Sequence, residues 1–471
     1  MLEQCPVLGW AASGGMALTG APDGPAVVSP AGAFGLLGQV LDRLAQESGV
    51  RADPSELLAG RAALMGLRRR GRVSAGGSSR LLPTADGWCA VTLSRRDDVA
   101  AVPAILGSLG LDISDMSYSG SGVGAGSLAP REAEAWRALE ASARGTAAAE
   151  LAEAAQLLGV PAAALPENPG LPREPGLDGP KHATAWPPWR RLKIAARDPA
   201  ARLAGAVVAD LSSMWAGPLC ARLLGLAGAR IIKVESPSRP DGARVGDPDF
   251  FDWLHAGHQS IAIDFRTECD TLATLLRSAD VVIEASRPRT LANLGLSPEM
   301  IPHKKGQVWL SITGYGRAEP DRVAFGDDAA VAGGLVAWPG GRVGWPGGVG
   351  WPGGALHGAV VGGIEPVFCA DAIADPLTGV CGALAVSRSL AEGGGHLIDL
   401  SMRGVAAAFA TAPSPDHGPH EVRPDGTVTC PALGQTQEIL PPRSPAAPGL
   451  AAPELGADTG SVLSWLASAA C

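Results

Sequence analysis

Residues 207–244 read VVADLSSMWAGPLCARLLGLAGARIIKVESPSRPDGAR, and this stretch decides the fold class. It opens on a β-branched run ending at Asp210 and passes through a small-residue turn at Trp215-Ala216-Gly217-Pro218. An apolar-periodic segment runs on to about Ala227, and after a break at Gly228-Ala229 a second apolar run covers Arg230 to Glu235. Period 2, then 3.6, then 2 is the signature of a strand–helix–strand unit, which joins parallel strands through a helical crossover. The first loop carries no G-x-G-x-x-G, so the backbone cradle that a dinucleotide pyrophosphate requires is missing. Glu235 stands where a ribose-binding acid would sit in a nicotinamide dehydrogenase. That reading is weak without the glycine fingerprint.

Three further blocks follow in order. They are FDWLHAGHQSIAIDFRT (Phe251–Thr267), ADVVIEASRPRTLANLGL (Ala279–Leu296) and WLSITGYG (Trp309–Gly316). Together with the opening unit they resemble the family III CoA-transferases, a group that includes formyl-CoA and carnitine CoA-transferases and α-methylacyl-CoA racemase. The resemblance implies an α/β fold, a Rossmann-like parallel sheet forming a large domain with a smaller α+β domain beside it.

The order of the remaining pieces departs from the family's. Residues 10–28 (WAASGGMALTGAPDGPAVV) resemble a segment the family carries well inside its large domain. Residues 78–95 (SSRLLPTADGWCAVTLSR) resemble a small-domain hairpin, and residues 131–165 its helix and following strand. PELGADTGSVLSWL, from Pro453, resembles the family's closing tail. The expected organisation is therefore 1–165 as a small-domain-like region with a degenerate partial copy, 166–200 as linker, 201–410 as the Rossmann-like CoA-binding catalytic domain, and 411–471 as a Pro-rich segment and tail. Between them, Trp338–Gly354 repeats Trp-Pro-Gly-Gly three times and reads as an expanded surface loop or a substrate lid.

Composition narrows the function. With 46% hydrophobic and 18% charged residues the chain suits a globular protein, and its net charge of −9 argues against a nucleic-acid partner. Eight cysteines without a C-x-x-C pair read as reduced thiols, with neither a disulfide framework nor a metal site expected. There is no basic amino-terminal region before an apolar run and no stretch of ~20 apolar residues. A cytoplasmic location and no membrane partner are expected.

The chemistry is expected in CADAIADPLTGVCGALAV (Cys369–Val386). By resemblance, a nucleophilic aspartate lies a few residues before a glycine that starts a small-residue helix. Asp375, four residues before Gly379, matches the local D-x-x-T-G wording and is preferred; Asp371 fits if the helix and the following glycine turn are aligned without gaps. A helix amino terminus would keep the nucleophile ionised at neutral pH. Gly362-Gly363 and Gly379 are candidate donors to a developing oxyanion. Residues 30–37 (PAGAFGLL) look like Leu377–Leu384, and if Gly32 matches Gly379 then Val28 stands in place of Asp375. The amino-terminal copy would lack a nucleophile.

By position in the family pattern, Ser213, Met214, Trp215 and Ala216 line the CoA cleft and Arg287 lies near the cofactor. Arg239 and Arg244 are placed to reach nucleotide phosphates, whereas Lys233 reads as a buried ion-pair partner. His258-Gln259 replaces the family's Lys-Arg pair, leaving His258 as a possible hydrogen-bond donor. The expected substrates are an acyl-CoA and a carboxylic acid, with CoA bound as substrate and no permanent cofactor. Two alternatives stay open: a racemase-type isomerase, whose histidine is missing from Phe325-Gly326-Asp327-Asp328 (His357 being a poor substitute), and a degenerate CoA-binding or scaffold protein. Family subunits interlock as dimers. The reordered chain fits such a homodimer or a ring rebuilt from its own two halves.

Overall fold

The computed structural model describes residues 5–111, 129–166, 186–339 and 365–469. In the amino-terminal part, α1 (Pro6–Ala12), α2 (Ala31–Ser48) and α3 (Pro54–Leu64) precede β1 (Ser79–Pro83) and β2 (Trp88–Thr92). Then come α4 (Arg96–Ser108), α5 (Ala129–Ala143), α6 (Ala148–Leu157) and β3 (Ala162–Ala164). The three strands form an antiparallel sheet in the order β1-β2-β3. Leu82, Cys89 and Val91 of the sheet face Val102, Trp136, Leu139 and Leu151 of the helices in one apolar cluster. This is the smaller α+β unit that the hairpin in residues 78–95 foretold.

The larger part contains β4 (Trp189–Lys193), β5 (Val207–Asp210), α7 (Ala216–Leu226), β6 (Arg230–Glu235), α8 (Pro248–His255) and β7 (Gln259–Ala262). It continues with α9 (Cys269–Ser278), β8 (Val281–Glu284), α10 (Pro288–Ala292), β9 (Val308–Thr313), α11 (Gly326–Ala332), α12 (Ala374–Ala391), β10 (His396–Ser401) and α13 (Met402–Ala410). Seven strands form one sheet in the order β4-β10-β9-β8-β5-β6-β7. All neighbours are parallel except β4, which pairs antiparallel with β10. The chain starts at β5, moves one way to β7, then returns to build β8, β9 and β10 on the other side. This doubly wound order puts a switch point between β5 and β8, where the loops leaving their carboxyl ends diverge and open a crevice. The stretch expected to be linker up to residue 200 thus contributes the sheet's edge strand.

Helices cover both faces because strand residues alternate between them. Val208, Ile283, Leu310 and Leu400 pack under α7 and α12, while Ala209, Ile232, Val282, Trp309 and Leu397 pack under α9. The carboxyl-terminal α14 (Thr459–Ala469) joins that second face through Val462 and Leu466. The Pro-rich stretch after α13 folds into a small antiparallel ribbon of β11 (Glu421–Val422), β12 (Thr427–Cys430) and β13 (Gln435–Glu438). Among the described residues, no helix is long and apolar enough to cross a membrane.

The two halves of the sequence repeat share a core. Phe34, Leu37 and Leu41 of α2 lie in the same cluster as Leu377, Val380 and Leu384 of α12. A Cβ at Gly32 would stand 2.7 Å from the Ala412 carbonyl, and one at Gly379 2.8 Å from the Ala216 carbonyl. Both glycines admit a close backbone approach that alanine would block.

Candidate active site

The crevice is built on a buried ionic frame. Lys233, 1% exposed in β6, pairs with Asp241 at 2.8 Å and donates to the Ser212 carbonyl at 3.1 Å. Asp241 accepts from the N–H groups of Met214 (3.0 Å) and Ala243 (2.9 Å), and Ser212 is bonded to Asp210 through both its N–H and its hydroxyl. These contacts hold the loop between β5 and α7 in a strained course, with Met214 at φ 72°, a region non-glycine residues seldom enter. Lys233 is therefore the structural cation the sequence implied. Ser213 and Met214 remain exposed at the crevice, whereas Trp215 and Ala216 are buried.

α12 reaches this loop because Gly379 lets it press against the first turn of α7. Asp375 lies in the first turn of α12, about one helical turn from that contact. The helix begins before Asp375, not at Gly379 as expected. Gly379 is interior to α12, where its N–H is committed to the helix, so it is not an oxyanion donor. Gly362-Gly363 and the Trp-Pro-Gly-Gly repeat beyond residue 339, with His357, lie outside the described residues.

Four acidic side chains meet here. Asp371, 1% exposed, is gripped by Nη1 of Arg61, which donates to its two oxygens at 2.7 and 2.8 Å. The Arg61 guanidinium also lies near the rings of Trp215 (5.3 Å) and Phe250 (5.7 Å), which meet edge to face, and these cation–π contacts help fix its direction. Asp327 accepts from Ser79 and from the Ala372 N–H, both at 3.1 Å, and Asp328 accepts from Thr92 at 3.1 Å and the Phe325 N–H at 3.0 Å. Asp375 is half-buried, forms no salt bridge among the described residues and accepts from the Gly326 N–H. Any Cβ on Gly326 would collide with the Asp375 carboxylate and the Ala372 carbonyl. Ala370 and Ala372, on either side of Asp371, both have positive φ (53° and 40°), so the turn that presents the two acids is itself strained.

Burial sets the protonation of this group. It pushes Asp375 up to about 7; Arg61 opposes the rise and the charges of Asp327 and Asp371 add to it. Burial likewise raises Asp327 to about 6 and Asp328 to about 8. Asp371 is raised by burial against the pull of Arg61. The expectation that the helix amino terminus keeps Asp375 fully ionised at neutral pH is thus corrected: desolvation and two neighbouring acids outweigh the partial charge of a helix end.

The candidate cofactor residues separate into two groups. Arg287, at the start of α10, and Arg239, after β6, both follow carboxyl ends of sheet strands. Arg287 is lowered by burial and by the nearby charges of Arg289, Arg95 and Arg239. Arg289 and Arg95 have acidic partners in Asp321 and Asp98, whereas Arg239 and Arg287 form no salt bridge among the described residues. Crowded cations at a crevice mouth suit a polyanionic ligand. His258 precedes β7, and its Nε2 would stand 3.6 Å from a Cβ on Gly225 at the far end of α7. Its ring meets His255, 5.5 Å between centroids, behind the Lys233–Asp241 frame, and burial with neighbouring Lys233 lowers His258 to about 3. Arg244 is taken up by Glu235, at 2.6 Å, which also removes Glu235 as a free ribose acceptor.

Sequence reading missed Arg61, Gly326 and Thr19. Thr19 accepts from the strained Ala370 N–H at 3.0 Å, and the Gly71 carbonyl accepts from Phe368 at 3.0 Å. Thr19, Arg61, Gly71, Ser79 and Thr92 all belong to the amino-terminal part. The acid-bearing turn is clamped by a portion of chain more than 250 residues distant in sequence, and no local pattern marks that contact.

A doubly wound sheet whose first crossover loop lacks the G-x-G-x-x-G cradle, with a cluster of aspartates beside its switch point, defines an α/β protein of the crevice-forming type. The model of CoA-transferase family III matches residues 203–443, about half of the chain, and the chain belongs to that family. It is 30% identical over 228 residues to a succinate–glutarate CoA-transferase of Agrobacterium fabrum, covering 44% of this chain and 52% of that protein. It is 34% identical over 142 residues to a succinyl-CoA–D-citramalate CoA-transferase of Chloroflexus aurantiacus, covering 28% and 35%. The chain thus spans about half or less of the length of these relatives. Among solved structures, a CAIB/BAIF family protein from Brucella suis is 26% identical, with a TM-score of 0.34, over 46% of this chain and 56% of that one.

Proposed function

We propose that this protein transfers coenzyme A from an acyl-CoA to a carboxylic acid through a covalent intermediate on Asp375. The observation carrying this reading is the contrast between two adjacent acids. Asp371 is sealed under Arg61, while Asp375 keeps partial exposure and has no cationic partner among the described residues. Membership of the family and the activities of the relatives supply the reaction class.

The Asp375 carboxylate attacks the thioester carbonyl; the C–S bond breaks and CoA leaves as thiolate, giving a mixed anhydride. The thiolate then attacks the aspartyl carbonyl, releasing the donor acid and leaving an aspartyl-CoA thioester. The acceptor carboxylate attacks this thioester, and the freed thiolate finally takes the new acyl group, restoring Asp375. Dividing the exchange in this way replaces one difficult substitution with four easier ones. Ser213 and Met214 border the pantetheine path with Trp215 and Ala216 buried behind them, while Arg239 and Arg287 receive the nucleotide phosphates.

Protein incubated with succinyl-CoA and quenched with hydroxylamine is expected to carry a hydroxamate on the peptide containing Asp375, and Asp375→Ala to carry none. Modification of Asp371 instead, or of neither acid, would sink the proposal.

A further inference from the structure

Outside the crevice, among the described residues, one cluster has the composition of a metal centre. Cys5 immediately precedes α1, His417 and His420 lie in the approach to β11, and Cys430 ends β12. Their ligand atoms all lie within 4.8 Å of one another. The Cys5 Sγ is 3.2 Å from His420 Nε2, and the Cys430 Sγ is 3.5 Å from His417 Nδ1. A tetrahedral S2N2 zinc site, with Zn–S near ~2.3 Å and Zn–N near ~2.0 Å, sets neighbouring ligand atoms roughly 3.3–3.8 Å apart. Two of the separations already match those such an ion imposes, and the remaining pairs, all within 4.8 Å, would close by side-chain adjustment.

The setting gives a second, independent reason. The ribbon has strands of only two, four and four residues, and Val428 and Cys430 are its only fully buried strand positions. Val428 and Cys430 join the core cluster that holds Val7 and Trp10 of α1, so the ribbon is held by that docking, and an ion shared with Cys5 would fasten the same contact. It meets the amino-terminal helix through the bond from the Leu440 N–H to the Ala11 carbonyl (3.0 Å), and Cys5 lies at the start of that same helix.

We propose that Cys5, His417, His420 and Cys430 bind one structural Zn2+ that pins the amino terminus to the ribbon. Two thiolates and two imidazoles select zinc over hard cations, and four protein donors leave no open position for catalysis. Binding releases the two thiol protons to solvent, so the ion's +2 charge meets two thiolates and the site is neutral. Sequence reading took the cysteines as metal-free because H-x-x-H and Cys430 lack their fourth ligand until Cys5, 412 positions before His417, is folded onto them.

The test uses the full chain without a polyhistidine tag, washed with chelator and assayed for metal by mass spectrometry. About one zinc per chain is expected, with an X-ray absorption shell of two sulfurs and two nitrogens. Cys430→Ser and His420→Gln are expected to lose at least nine-tenths of the metal, and Cys269→Ser to keep it. A folded wild-type chain without zinc, a shell lacking sulfur, metal retained by both variants, or a Cys5–Cys430 disulfide in the isolated protein would each overturn the assignment. Wild-type stoichiometry and the absorption shell decide the matter even if the variants misfold.

Discussion

Asp375 titrates near neutrality because three effects of different sign meet on one carboxyl group. Desolvation raises it, Arg61 lowers it, and Asp327 and Asp371 raise it again to about 7. On the proposed mechanism attack needs the carboxylate, so about a tenth of the sites would be competent at pH 6 and about nine-tenths at pH 8. The rate of the first half-reaction should rise through this interval with an inflection near 7. Arg61→Ala removes the lowering charge and should move the inflection to higher pH; stopped-flow release of CoA thiol across a pH series measures both. Asp328 makes a separate case. Its folded value of about 8 lies far above the ordinary carboxylate value, with burial as the leading cause. The native state keeps a proton that the unfolded chain has lost above pH ~4, so this group's contribution to stability falls as pH rises toward 8. Asp328→Asn should therefore raise the melting temperature at pH 8 while leaving it little changed at pH 4, read by thermal denaturation at the two values.

At the scale of elements, the decisive contact is α12 against α7. A Cβ at Gly379 would lie 2.8 Å from the Ala216 carbonyl and 3.0 Å from the Leu219 Cβ, both on a helix that the sheet holds in place. Gly379→Ala should cost about 1–3 kcal/mol in urea unfolding, and by prising α12 away it should also slow the first half-reaction. Gly38→Ala, on the comparable α2 with open space around it, should be neutral or stabilise by a few tenths of a kcal/mol through helix propensity. The unit β5–α7–β6 was legible because each element announces itself locally, by a β-branched run, a 3.6-residue periodicity and glycine at the break, whereas the later strands were read through the resemblance of their blocks. The edge strand β4 was not. Only Trp189 of its residues is buried, so its pattern resembles a solvated connector, and its pairing with β10 is a long-range event.

At the scale of the whole molecule, the amino-terminal part completes the site. Arg61, Ser79, Thr92 and Thr19 reach across to Asp371, Asp327, Asp328 and Ala370. A fragment beginning at residue 186 should leave Asp371 buried without its cation, a defect worth about 3–5 kcal/mol, and should expose the face of α12 that packs against α2. We expect that fragment to aggregate alone and to become soluble when co-expressed with residues 1–166; recovery of a stable heterodimer by size-exclusion chromatography checks this. A well-folded fragment on its own would show the two parts to be independent. The sequence by itself determined the α/β class and the crossover unit, because strand and helix periodicities are properties of neighbouring residues, and by resemblance it pointed to the segment holding Asp371 and Asp375. Only tertiary structure decided that Asp371 is sealed and Asp375 left partly open, that His258 is packed against His255 behind Lys233, and that Cys5 meets the ribbon. Each of those depends on which distant side chain arrives at a given point in space, and local periodicity carries no record of that.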